Sequence, residues 1–328
     1  MNYKVRLKNN KEFSCESSKT ILEAALEQGI GLEYSCLSAR CRSCVVRVVE
    51  GRYGNIKDDM VLSEEERKQG FVLSCNAVPC SDLQLDVEDL GMQLFKKQII
   101  PVKINLISVL SSDIIRVELR LPPTANFRFI PGQYVNIIRG GEKRSYSLAN
   151  VPNAENHLEF FIRNYHGGLF SKYWFREARQ NDLLRIEGPL GTFFYRENDS
   201  CENVVLLATG TGIAPIRSIL QQFAEKPHLI KNKKVWLFWG GRKQEDLFMD
   251  FSFDEFDFTF IPVLSQESNK NTEKGYVQNV ALKQEINWLN SQVYACGSPN
   301  MIETSRTILV QNGLPSEMFF ADPFVSTN

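Results

Sequence analysis

Four cysteines constrain this chain more than any other feature. Cys36 and Cys41 enclose four residues, Cys41 and Cys44 enclose two, and Cys75 follows after a further thirty. This is the spacing of a two-iron, two-sulfide cluster. Two irons bridged by two sulfides need four thiolates, and one short loop supplies three of them if its backbone wraps the cluster. Amides exposed in such a loop can donate to the sulfurs and tune the potential. Zinc ribbons pair two C-x2-C knuckles, whereas only one C-x2-C occurs here. Cys80 is a rival for the fourth ligand. Cys75 is favoured because it ends the run Phe71-Val72-Leu73, while Cys80 follows Pro79 further out.

The rest of the composition fits a globular chain of several domains. Its 328 residues exceed the usual single domain, and the 43% hydrophobic content is enough for separate cores. A net charge of -1 gives no footprint for nucleic acid. The start, MNYKVRLKNNKEF, lacks an apolar h-region, and nowhere do 18 apolar residues run together. The expectation is a cytoplasmic protein with no membrane partner. Clustered thiols there indicate metal or catalysis rather than disulfides.

Three segments separate by texture. Residues 1–91 open with alternation at Tyr3–Leu7, then Thr20 and Glu23 form a capping-box signature before Ile21–Gln28 and a stop at Gly29. A second helix begins at Ser63, and strands are expected at Val45–Val49 and Asp82–Val87. A linker over Glu88–Gln98 leads to residues 99–199, where short β-rich runs punctuated by Pro and Gly predict an antiparallel β-barrel. In residues 200–328 the apolar runs Val204–Ala208 and Val235–Trp239 flank a helical Ile216–Ala224. That alternation predicts a doubly wound parallel sheet.

Each segment carries a motif. The first resembles plant-type ferredoxin domains of β-grasp fold, through Tyr34-Ser35-Cys36, Cys41-Arg42-Ser43-Cys44 and Leu73-Ser74-Cys75. It departs from them in placing Ala39, Arg40 and Arg42 where glycines usually stand. In the second, Arg144-Ser145-Tyr146-Ser147 and Gly167-Gly168-Leu169-Phe170-Ser171 resemble the barrel of the ferredoxin–NADP reductase superfamily. Arg144 suits a flavin phosphate, Tyr146 the isoalloxazine face and Ser147 a hydrogen bond near N5. Gly168 and Ser171 open a turn whose N–H groups suit a pyrophosphate, which favours FAD over FMN. In the third, Gly210-Thr211-Gly212-Ile213-Ala214-Pro215 resembles the nicotinamide turn of the same superfamily, and Cys296-Gly297-Ser298 its element beside the reacting carbon. Near the expected adenine ribose, Arg242 and Lys243 would welcome a 2′-phosphate while Glu245 and Asp246 oppose it. NADH is the favoured donor and NADPH stays open. The ending Phe319–Val325 resembles members with a C-terminal aromatic near the flavin, which points to Phe324.

The order ferredoxin, FAD barrel, nicotinamide domain implies an NAD(P)H-dependent electron-transfer reductase. Hydride arrives as two electrons, and the cluster passes one at a time. Two kinds of electron-acceptor protein fit the resemblance. One is the dehydrase served by CDP-6-deoxy-Δ3,4-glucoseen reductases, and the other is an oxygenase component. A free flavin reductase would have no use for the cluster, and a redox sensor would not need the nicotinamide turn. The cysteine loop is the expected docking point, with Arg40 and Arg42 facing an acidic partner.

Overall fold

The computed structural model describes residues 1–324. They form two compact units, Met1–Phe95 and Lys96–Phe324. No helix among the described residues is long and apolar enough to cross a membrane.

The first unit is a five-stranded mixed sheet with a short helix packed on it. In the sheet the strand Leu83–Leu85 lies between Asn2–Arg6, its parallel partner, and Val45–Glu50, which runs antiparallel. The helix Ile21–Glu27 starts where both halves of the capping box form. Thr20 Oγ1 accepts from the Glu23 N–H at 3.1 Å, and the Glu23 carboxylate accepts from the Thr20 N–H at 3.0 Å. Ser63 and Glu66 repeat the motif at the helix Glu64–Lys68. Ile21, Leu22 and Ala25 are completely buried and join Val5, Leu7, Leu32 and Leu85 in one core. The closing strand is shorter than the expected Asp82–Val87, because only Leu83 and Leu85 turn inward.

The second unit contains two sheets. Six antiparallel strands, from Gln98–Val109 to Leu183–Leu190, make the barrel. It closes just beyond the strand Glu142–Ser147. There the Ala149 N–H donates to the Glu159 carbonyl at 2.9 Å, and the Glu159 N–H to Asn150 Oδ1 at 2.8 Å. The first barrel strand begins at Gln98, inside the expected linker, because Gln98–Lys103 pairs with Leu183–Gly188. The other sheet is six-stranded and parallel throughout, with Asn203–Thr209 at its centre between Lys234–Gly241 and Ser291–Gly297. Cores cover both of its faces, as a sheet with helices on either side requires. One of these cores also takes Ala149, Phe161, Phe193 and Tyr195 from the barrel.

The helix after the Gly turn runs from Ile213 to Glu225, three residues earlier than its apolar pattern suggests. Pro215 sits in its first turn, where a missing N–H costs nothing because those donors have no partner within the helix.

Candidate functional site

In the first unit, the chain from Cys36 to Cys44 folds as an irregular loop ahead of the strand Val45–Glu50. All four cysteines are unbridged thiols. They are grouped two and two: Cys44 Sγ lies 3.3 Å from Cys75 Sγ, and the Cys36 N–H donates to Cys41 Sγ at 3.4 Å. Further backbone donors converge on the sulfurs. The N–H groups of Ser38 and Arg40 reach Cys36 Sγ at 3.4 and 3.5 Å, and that of Ala39 reaches Cys75. Within each group one thiol is held below its ordinary value and the other above it. Cys36 is lowered first by Cys41 and then by the Ser38 and Arg40 donors; Cys75 is lowered first by Cys44. Cys41 and Cys44 are raised by those same contacts, since each keeps its proton and donates a hydrogen bond to the neighbouring thiolate. Cys80 stands apart and exposed.

This convergence needs an unusual backbone. Leu37, Ala39 and Arg42 have φ of 53°, 59° and 65°, the left-handed region. Each such residue with a Cβ costs roughly 1–2 kcal/mol. Alternating handedness turns successive N–H groups into one concavity, which binds anionic sulfur. The donor set and this cradle fit a 2Fe–2S cluster. Arg42 is committed elsewhere: its guanidinium ion-pairs with Glu66 and donates to the Val61 carbonyl at 2.6 Å. It braces the loop within the domain while its side chain stays partly exposed.

In the barrel, the strand Glu142–Ser147 pairs with Tyr134–Arg139, setting Ser147 opposite Tyr134 and Arg144 opposite Ile137. Tyr146 is ringed by Phe160, Phe170 and Trp174 at centroid distances of 6.3–6.4 Å, and its hydroxyl accepts from Trp174 Nε1 at 3.1 Å. Burial holds this phenol protonated, with its pKa raised. The Arg144 guanidinium carbon lies 5.8 Å from the same Phe170 ring, and its Nη1 donates to the Lys143 carbonyl. Phe170 belongs to the short helix Leu169–Lys172 that Gly168 opens. The fold thus brings Arg144, Tyr146 and the Gly168–Ser171 turn together. Ser171 Oγ already accepts from the Tyr165 N–H at 2.9 Å, so it braces the turn. The turn is legible in the sequence, but the π-helix Tyr173–Glu177 that follows it and delivers Trp174 to Tyr146 has no sequence signature.

In the nucleotide domain, the Gly210–Gly212 turn touches the end of the strand Ser291–Gly297. A methyl group on Gly212 would lie 2.4 Å from the Cys296 carbonyl oxygen, so this contact admits glycine alone. Thr211 is buried in that turn. Cys296 is fully buried, and burial, then the Asp322 carboxylate, raises its thiol well above the ordinary value. It stands as a neutral thiol. Asp322, in register with Cys296 on the strand Phe319–Pro323, was missed by sequence reasoning; its one signal is a lone acid in the apolar run Phe319–Phe324. Phe324 is tied to the same place by its N–H, which donates to the Gly297 carbonyl at 2.8 Å. Val325 lies outside the described residues.

Arg242 is exposed, and its N–H, like that of Lys243, donates to Asp246 Oδ2 at 2.8 and 3.2 Å. The other Asp246 oxygen ion-pairs with Arg163 of the barrel, which also holds Asp113 at 2.8 Å. Asp246 is therefore spent on closing its own loop and on the barrel.

Residues 5–80 match the model for the 2Fe-2S iron-sulfur cluster binding domain, 101–195 that for the oxidoreductase FAD-binding domain, and 206–307 that for the oxidoreductase NAD-binding domain. The chain is 34% identical to the CDP-6-deoxy-L-threo-D-glycero-4-hexulose-3-dehydrase reductase of Yersinia pestis, over 95% of each chain. The chain belongs to the ferredoxin-fused reductases of the ferredoxin–NADP reductase superfamily.

The reductase is also 32% identical to the xylene/toluene monooxygenase electron transfer component of Pseudomonas putida, over 95% of its own length and 91% of that protein. Among solved structures it resembles an Amycolatopsis cytochrome P450 reductase, with a TM-score of 0.78, 26% identity and 99% coverage of both chains. It is an NAD(P)H-dependent oxidoreductase with 2Fe–2S, FAD and NAD-binding domains, and it transfers electrons.

Proposed function

We propose that this reductase takes hydride from NADH onto FAD and delivers the electrons singly, through the cluster, to a dehydrase acting on a CDP-linked 6-deoxyhexulose. The likeness to the Yersinia dehydrase reductase along 95% of both chains carries this reading. Cys36 and Cys41 would hold one iron and Cys44 and Cys75 the other, as their grouping supports. FAD, when bound, supplies the step from two-electron to one-electron chemistry. Arg144 and the turn N–H groups at Gly168 would bind its phosphates, Tyr146 would pack on the ring, Ser147 would reach N5 and Phe324 would flank the far side. Gly210, Thr211, Gly212 and Pro215 would shape the nicotinamide site, with Cys296 beside the reacting carbon and Arg242 at the adenine ribose. We place the three domains at 1–91, 99–199 and 200–328, and the enzyme in the cytoplasm.

The xylene/toluene relative favours a second reading, in which the acceptor is an oxygenase component. Reconstitution decides between them. The reductase, a purified CDP-6-deoxyhexulose dehydrase with its substrate, and NADH should together consume NADH and form the 3-deoxygenated product. Coupling to an oxygenase component alone would reject the dehydrase.

A further inference from the structure

The helix that begins at the nicotinamide turn is pinned to the barrel by three consecutive backbone groups. Arg217 Nη1 donates to the Ala149 carbonyl at 2.6 Å, Ser218 Oγ donates to the Asn150 carbonyl at 2.7 Å, and the Val151 N–H donates to Gln221 Oε1 at 3.3 Å. Residues 217, 218 and 221 share one face of the helix Ile213–Glu225. Ala149, Asn150 and Val151 directly continue the strand that carries Arg144, Tyr146 and Ser147. Arg217 makes a second bond, to Glu159 Oε2 at 2.9 Å, with about a fifth of each side chain exposed.

We propose that Arg217, with Ser218 and Gln221, is the positioning device that sets the distance between the nicotinamide and the flavin. The apolar core already shared by barrel and sheet gives adhesion, but apolar contacts are non-directional and tolerate sliding. Directional bonds to three successive backbone groups fix one register. The turn Gly210–Gly212 lies within two helical turns of Arg217, and the flavin strand lies two residues before Ala149. The clamp therefore joins the two places between which hydride must pass, rather than two arbitrary surfaces. In that step the nicotinamide C–H bond breaks, its electron pair and hydrogen become the flavin N–H bond, and oxidised nicotinamide leaves. A displacement of about 1 Å between such partners costs on the order of 100-fold in rate.

The inference rests on the hydride-transfer reading, so holoenzyme is mixed with NADH, and separately NADPH, in a stopped-flow instrument. Arg217→Met should retain its FAD and cluster absorbance and keep its KM for NADH, while flavin reduction slows at least ~10-fold and the nicotinamide–flavin charge-transfer band weakens. Arg217→Lys, which keeps one donor, should recover part of the rate. A wild-type reduction rate in Arg217→Met overturns the proposal, as does a loss that only follows the flavin lost. If Arg217→Met does not fold, the double variant Ser218→Ala, Gln221→Leu removes two of the three bonds and keeps the arginine, and an unaltered rate and band there overturn it equally. Wild-type flavin that neither nucleotide reduces would instead reject hydride transfer itself.

Discussion

Single residues decide the cluster. Cys75 faces Cys44 across 3.3 Å, while Cys80 is exposed one short strand away. Cys75→Ser should bleach the visible cluster absorption and Cys80→Ser should leave it intact; the reverse result would make Cys80 the ligand. Glu66 has a distinct pH signature. The Arg42 guanidinium beside it, then the Ser63 N–H, hold its carboxyl at about 2, below the ordinary 4.5. A lowered carboxyl stabilises the fold fully above its unfolded value and loses that contribution as pH falls through its folded one. Acid titration of the cluster absorbance should thus reveal a stability that fades between pH 4.5 and about 2. In Glu66→Gln that dependence should flatten, and an unchanged acid profile would remove Arg42 as a brace. Cys296 is set by burial and by Asp322, which keep it a neutral thiol. Cys296→Ala should slow flavin reduction more than it weakens nucleotide binding, and an unchanged rate would make it core packing only.

At the scale of elements, strand ends and turns meet with no spare room. The Gly212 turn abuts the Cys296 carbonyl, and that oxygen cannot withdraw because its strand is held in the middle of the sheet. Gly212→Ala should cost about 1–3 kcal/mol through overpacking, read as a lower Tm, together with a raised KM for NADH. Normal values for both would mean that the two strand ends separate easily. The cysteine loop makes the opposite use of space. Leu37, Ala39 and Arg42 accept a backbone that glycine adopts freely, so bonds from their neighbourhood to the cluster sulfurs must offset that strain.

For the whole molecule, the division after Phe95 separates the 2Fe–2S domain from the FAD- and NAD-binding domains. The barrel and the nucleotide sheet share a core and an ion triad, Asp113–Arg163–Asp246. The first unit has a core of its own. A fragment of residues 96–328 should fold, hold FAD and reduce ferricyanide with NADH at close to the full-length rate. It should fail to reduce the partner protein. If this fragment reduced the partner as fast as the intact chain, the cluster would not be the exit for electrons.

Much of this was readable from local pattern. The cysteine spacing, the capping boxes at Thr20 and Ser63, the Arg144–Ser147 strand and the Gly210–Pro215 turn are each set by a few consecutive residues whose chemistry allows little else. They sufficed for three domains, three cofactors and their order. What remained hidden depends on partners far apart in sequence. Arg42 reads as a solitary surface charge until the fold sets Glu66 beside it, and Asp246 as an acid opposing a 2′-phosphate until Arg163 pairs with it. Asp322 gains meaning only because parallel pairing brings it into register with Cys296. A charge is defined by the opposite charge that reaches it, and only tertiary structure decides which one does.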